Sequence, residues 1–247
     1  MLRTALGVVR SLRIYYGHPA RARAMDRLYA QFIAPDDLVF DIGAHVGDRI
    51  AAFRRLGARV VAVEPQPALH RSLRLLFGRD ERVTIVRSAV GRAPGRARMH
   101  INTANPTIST LSEDFIAASR SAAGWQGESW PDAVEVPVTT LDALIATFGK
   151  PAFAKLDIEG FEAEALGGLT QAVPALSFEF TTIQRDVALA CLERCVALGY
   201  TEFNAALGES QSVGEWRSSG AIAGWLSRLP QAANSGDIYA RLPGKTA

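Results

Sequence analysis

From residue 38 onward, short apolar runs alternate with segments of helical period. "LVFDI" reads as a buried strand, and "DRIAAFRRLG" as the helix after it, with Gly57 past its end. "ARVVAVEP" is the next strand. "PALHRSLRLLFG" is a helix opened by Pro67 and stopped at Gly78. "ERVTIVRSAV" predicts a third, continuous strand. After an interruption, "LDALIATFG" is a helix, "PAFAKLDI" a strand, "GFEAEALGGL" a helix and "PALSFEF" a strand. The helix "QRDVALACLERCVALG" follows, and "YTEFNAAL" and "SGDIYARL" close the pattern as two strands. Strands alternating with helices predict βαβ units and a doubly wound, mostly parallel α/β sheet. The strands are apolar almost throughout, as expected when helices cover both faces. The last two lack a crossover helix for a parallel return, and they predict an antiparallel edge.

Residues 91–139 break this rhythm. They read as a hairpin around Pro94-Gly95, a polar loop, a short helix near Glu113 to Arg120, and a loop from Trp125 to Trp130. A long insertion in a compact domain tends to be a lid or a binding loop. The domain division that follows is an N-terminal helical extension over residues 1–35 and one catalytic-type domain over 36–247, with the insertion at about 91–139.

Composition changes this picture little. With 48% hydrophobic and 21% charged residues the chain is an ordinary globular one. A formal net charge of +2 gives no nucleic-acid signature. Charge is uneven, however. Residues 1–30 carry six arginines against the single acid Asp26. Leu2, Leu6, Val9 and Arg13 fall near helical spacing, so this segment either packs on its own domain or meets an anionic membrane surface or a second copy. Cys191 and Cys195 share one helical face without CxxC spacing or nearby histidines, which reads as buried core thiols. Free cysteines, no cleavable leader and no apolar run of membrane-spanning length point to the cytoplasm.

The chemistry concentrates in "LVFDIGAHVGDRI". In an open α/β sheet, ligands sit outside the carboxyl ends of the strands. The turn Gly43-Ala44-His45-Val46-Gly47 lacks the Lys and hydroxyl of a P-loop, and it lacks the central glycine of a dinucleotide turn. Asp41 at the strand end would repel a pyrophosphate and favour a cation. S-adenosylmethionine, with a sulfonium, an ammonium and no phosphate, suits such a turn. Glu64 ends the second strand, 23 positions after Asp41, where a carboxylate can accept from both ribose hydroxyls. Ser88 and Ala89, by strand position, meet the adenine edge. Asp157 ends a later strand, and Glu159 precedes a helix. Glu159 by itself could be simple charge complementarity at a helix start.

In this order and spacing, "VFDIGAHVGD", "VVAVEPQP", "SAVG", "TLDAL" and "AKLDIEGFEAEALGG" resemble the FkbM-type methyltransferases, a branch of the class I S-adenosylmethionine-dependent methyltransferases. The resemblance covers roughly residues 36–182. It implies a seven-stranded Rossmann-like sheet whose last strand is antiparallel, and O-methylation of a hydroxyl on a sugar, glycolipid or polyketide-like small molecule. It places Asp41, Gly43 and His45 around the methionine part, Glu64 on the ribose, Ser88 and Ala89 near the adenine, and Asp157 with Glu159 beside the reaction centre. His45 departs from the family, which often has Asn there, and a histidine can titrate near neutral pH.

A hydroxyl nucleophile benefits from a general base in reach. Asp157 and Glu159 are the first candidates, His45 the rival and Glu179 a further one. Asp157 and Glu159 are hard oxygen ligands, but the sequence shows no third, so no metal is expected. Asn105, Ser109 and Thr110 could bind acceptor hydroxyls, and Trp125 or Trp130 could stack on a ring or anchor the lid. The competing functions are a nicotinamide-dependent oxidoreductase, disfavoured by the missing GxGxxG, and a binding module of the same fold without turnover.

Overall fold

The computed structural model describes residues 2–244, with side chains from residue 7 onward. Helices α1 (Leu2–Tyr16) and α2 (Pro19–Tyr29) lead into β1 (Leu38–Ile42), α3 (Asp48–Arg55), β2 (Arg59–Val63), α4 (Pro67–Phe77) and β3 (Val83–Val86). Then come β4 (Ala89–Val90), β5 (Gly95–Ile101), α5 (Glu113–Ser121), β6 (Asp132–Thr139) and α6 (Leu141–Phe148). The chain continues through β7 (Phe153–Leu156), α7 (Glu162–Gly167), β8 (Ala175–Thr181), α8 (Arg185–Ala197), β9 (Glu202–Leu207), α9 (Ser219–Arg228) and β10 (Ser235–Arg241). Seven strands form one sheet in the order β3-β2-β1-β7-β8-β10-β9. β1, β2, β3, β7 and β8 run parallel, and β10 inserts antiparallel between β8 and β9. The chain winds outward from β1 to β3, then returns and winds the other way from β7. The point where strand order reverses therefore lies between β1 and β7, and a crevice opens there at their carboxyl ends.

Strand alternation divides the apolar side chains between two faces. Phe40, Ile42, Val61, Val63, Leu156 and Phe178 pack with residues of α6 to α9. Val39, Val60, Ala62 and Phe153 pack with α2 and α3. Met25, Leu28 and Tyr29 of α2 are buried in that second layer, and Tyr29 meets Phe53 edge-on at 4.8 Å. Residues 19–33 are thus an integral layer of the core. In α1, Val8, Leu12 and Tyr15 pack against Val46 and Leu69, while Val9 and Ile14 stay exposed. The expected contributions of Leu2, Arg3 and Leu6 to a surface-seeking face lie outside the described side chains. Among the described residues, no helix is long and apolar enough to cross a membrane. Cys191 and Cys195 are buried free thiols of the core.

Three elements differ from the sequence expectation. The run 81–90 is not one strand. It breaks at Arg87-Ser88, and Ala89–Val90 joins a second sheet of order β4-β6-β5. No hairpin forms at Pro94-Gly95. The strands on either side of that turn flank β6, parallel on one side and antiparallel on the other. Helix α9 carries Gly220 and Gly224, which dilute the helical signal, yet Ser218 caps it and Ile222 and Leu226 bury it.

Candidate functional site

A cavity of about 770 Å³, including its open mouth, lies at the carboxyl ends of β1, β2 and β7. Its floor is the turn after β1. Gly43, His45 and Gly47 all have positive φ (85°, 48° and 84°), so the chain folds back sharply before α3. The amides of Gly43 and Ala44 both donate to the Val63 carbonyl, at 2.9 and 3.1 Å. A Cβ on Gly43 would overlap the carbonyl oxygen of Asp157, so only glycine lets β1 and β7 approach this closely. Gly47 does not line the cavity. Its missing side chain makes room for Leu73 and Phe77 of α4.

Glu64 forms the cavity wall at the end of β2 and is 3% exposed. Its Oε2 accepts from the amide of His45 at 2.9 Å and its Oε1 from that of Gln66 at 2.8 Å. Burial pushes its pKa up to about 8 despite those two N–H donors. Each oxygen keeps a second lone pair for a ligand hydroxyl. Ser88 and Ala89 also line the wall, where the Ser88 hydroxyl is spent on the Pro137 carbonyl at 3.0 Å. Ile42, Val63, Val90, Met99 and Leu111 supply an apolar chamber next to them.

Asp41 stands behind this wall. It is 1% exposed, and its Oδ2 has no hydrogen-bond partner. Burial raises its pKa to about 7, so its charge at neutral pH is weaker than the sequence alone implies. This has a consequence for stability. Below pH 3.8 the carboxyl is protonated whether the chain is folded or not. Between 3.8 and about 7 the folded chain holds the proton and the unfolded chain releases it, so stability falls as pH rises through that window. Asp41→Asn should remove roughly 2–4 kcal/mol of that fall. Denaturant unfolding of both forms between pH 4 and 8 checks this; parallel curves would mean an ordinary carboxyl.

His45 lines the cavity with its ring edge-on to Tyr15 at 5.4 Å and Nε2 3.3 Å from the Thr107 hydroxyl. Burial lowers its pKa to about 4, which corrects the expectation of a group titrating near neutrality and makes it a weak base. At the far wall Asp157 accepts from Lys155 Nζ at 2.8 Å, and this partner holds it below the usual carboxylate range against the effect of burial. Glu159 sits at φ 56° and is 6% exposed. The Thr110 hydroxyl donates to its carbonyl at 2.6 Å. Burial, then Asp157 and Glu162, push its pKa well up. Glu162 is a clamp: its two oxygens accept from the amides of Ile158 and Gly160.

The sequence offers Glu179 as a further candidate base without a place beside Asp157 and Glu159, and the sheet brings it there. Leu156 pairs with Phe178, so Glu179 is one residue past that pair, beside Asp157. One oxygen each from Asp157, Glu159 and Glu179 lie within 4.8 Å of one another.

Of the expected acceptor residues, Ser109 lines the cavity and Asn105 and Thr110 do not. Thr110 instead fixes the backbone of Glu159. Trp125 and Trp130 pack edge-on to Phe115, and Trp130 Nε1 donates to the Ile108 carbonyl at 2.7 Å. They anchor the insertion and leave the cavity to other side chains. Tyr15, Arg49, Thr107 and Glu209 line the cavity without a local sequence signal. At its mouth Arg21 and Arg49 both pair with Asp48 and Glu209. Asp48 is held at about 2 by Arg49 and Arg21, against burial. Arg49 Nε has no hydrogen-bond partner.

The wall fits S-adenosylmethionine: a carboxylate for hydroxyls, an apolar chamber for a base, a glycine without room for a side chain, and no lysine facing the cavity. Among solved structures, the chain is similar to precorrin-6y C5,15-methyltransferase from Geobacter metallireducens, at 14% identity and a TM-score of 0.43, over 90% of this chain and 87% of that one. It is similar, too, to 1,6-didemethyltoxoflavin-N1-methyltransferase from Burkholderia thailandensis, at 15% identity and a TM-score of 0.43, over 98% and 88%. No curated protein matches the chain in sequence. The methyltransferase FkbM domain, in contrast, matches residues 41–214, well over half of the chain. Asp41, the glycine turn, Glu64 and the Asp157–Glu159 wall all fall inside that match, and the chain belongs to the FkbM family of S-adenosylmethionine-dependent methyltransferases.

Proposed function

We propose that the protein methylates a hydroxyl of a small acceptor of the sugar, glycolipid or polyketide-like class. The observation that carries this reading is Glu159. Its side chain, on a residue only 6% exposed, opens on the same cavity as the glycine turn and Glu64. When bound, S-adenosylmethionine supplies an activated methyl group on a sulfonium. The chain's own residues then bind the ligands, orient them and take the proton. Glu64 receives ribose hydroxyls, and Gly43 holds the turn against β7. Arg49, with its unpartnered Nε, offers a donor for a carboxylate. Glu159, whose side chain lines the cavity, is the group placed to take the proton as the acceptor oxygen attacks. Thr107 and Ser109 stand on the insertion side of the cavity, where they can orient an acceptor.

Two experiments test the reading. Calorimetric titration with S-adenosylmethionine should give binding that Glu64→Ala weakens about 10- to 100-fold, the loss of one or two buried hydrogen bonds. An unchanged affinity would remove Glu64 from the ribose. Transfer of a labelled methyl group to a panel of hydroxylated, amine and carbon acceptors tests the oxygen specificity. Labelling confined to amines or carbons would overturn it.

A further inference from the structure

We propose that Asp157, Glu159 and Glu179 form a binding site for a hard divalent cation at the wall of the cofactor cavity. Their nearest oxygens, one from each, lie within 4.8 Å of one another. Two oxygens bound to one ion at the distances of Mg²⁺ or Ca²⁺ are about 3–5 Å apart, so the three fit a single ion. Strand register, not flexible loops, sets two of them, because Asp157 and Glu179 follow the paired residues Leu156 and Phe178.

Proximity of acids is not by itself a site. The partners they lack point to a ligand. Glu159 is 6% exposed and its side chain lines the open cavity. Glu179 Oε2 is wholly buried without a partner. Outside the acid group, Gln184 is also 6% exposed with an unpartnered Oε1. That oxygen lies against Gly160, and Gln184 lines a small cavity together with Glu179. These atoms are all hard acceptors in a region short of donors. Lys155 is the nearby ammonium, and it is already shared between Asp157 at 2.8 Å and Asp237 at 3.3 Å. Buried acceptors left unpaired are costly, and a divalent ion satisfies several of them at once.

The site also defines an acceptor class, and that part rests on the methyl-transfer reading above. A six-coordinate ion held by three carboxylate oxygens keeps positions open for other oxygens. An acceptor with two neighbouring oxygens, such as a vicinal diol, could occupy two of them and present one hydroxyl to the cavity.

Titration of the full chain with Mn²⁺ at pH 7.5, following the electron paramagnetic resonance signal of the free ion, tests the site without S-adenosylmethionine or any acceptor. The expected result is one saturable site that Mg²⁺ displaces. Glu159→Gln and Glu179→Gln should each weaken it at least ~10-fold, while Glu135→Gln, on an exposed strand, leaves it unchanged. Circular dichroism confirms folding, and if Glu179→Gln does not fold, Glu159→Gln decides the same question. No saturable binding would mean that the cluster holds protons instead of an ion. Binding unaffected by Glu159→Gln, or weakened equally by Glu135→Gln, would place the ion on surface acids. Each of these results overturns the proposal and leaves the methyltransferase reading standing.

Discussion

Gly43→Ala is expected to abolish binding of S-adenosylmethionine and to destabilise the fold by more than ~4 kcal/mol, the range that single changes reach only through a severe local conflict. Two independent effects add. The residue sits at φ 85°, a conformation that costs an L-residue roughly 1–2 kcal/mol. The added methyl would also overlap the Asp157 carbonyl oxygen and touch the Ile158 side chain. Neither obstacle is the free end of a flexible side chain, so β1 and β7 must part. Parting them strains the bond from the Asp157 amide to the Ile42 carbonyl, now 2.9 Å, and moves Asp157 away from the turn. Thermal unfolding and calorimetry on the variant read both effects. A folded variant that binds the cofactor normally would show that the turn and β7 are less tightly coupled than this geometry requires. Gly47→Ala is the useful comparison. Its methyl would meet side chains of Phe77 and Leu73, so it perturbs α4 packing without blocking the cavity.

Lys155→Met should cost roughly 3–5 kcal/mol, the usual result of removing one partner from a buried ion pair. For a chain of this size that corresponds to a melting temperature lower by roughly 6–20 °C. Lys155 lies on a central strand and its side chain is 1% exposed. Burial alone would lower its pKa, but Asp157 and Asp237 hold it well above the ordinary value, so it stays charged. Methionine fills a similar volume, so little of the loss comes from packing. What the variant leaves behind is a buried Asp237 and a part-buried Asp157 without their cation. Adding Asp237→Asn to Lys155→Met should therefore recover part of the stability, and a double-mutant cycle measures the coupling. Simple additivity would mean that Lys155 and Asp237 do not interact energetically. The single variant should weaken ligand binding too, because Asp157 loses the partner that orients it.

Both predictions concern the same seam, and the sequence exposed its two halves unequally. The turn after β1 was legible because its information is local. An apolar strand, two glycines and a polar helix start occur within thirteen residues, and the observed strand has the expected bounds, Leu38–Ile42. Glu64 was legible for the same reason, as an acid at the end of an apolar strand. The family resemblance joined these motifs and anticipated the antiparallel final strand, which β10 provides.

Other parts could not be read locally. The stretch 81–90 has one continuous β-pattern, yet Ser88 bonds to Pro137 and β4 pairs with β6, nearly fifty residues later, which breaks the strand in two. The tryptophans of the insertion carry the composition of a binding loop. Only their packing against Phe115 and the Ile108 carbonyl makes them anchors. His45 has the residue type of a neutral-pH switch, but burial takes its pKa down to about 4. Tyr15 and Glu209 reach the cavity from the first helix and from the loop after β9.

The sequence by itself therefore determined the order of most elements of the main sheet, the family, the cofactor class and the strand-end acids, because periodicity and motif spacing act over one or two turns of chain. The tertiary structure decided which of those groups are charged, which face the cavity and which merely support it. Burial and cross-strand register set those properties. The third carboxylate at Glu179 has no neighbourhood in the sequence; it meets Asp157 only because β7 and β8 lie side by side in one register.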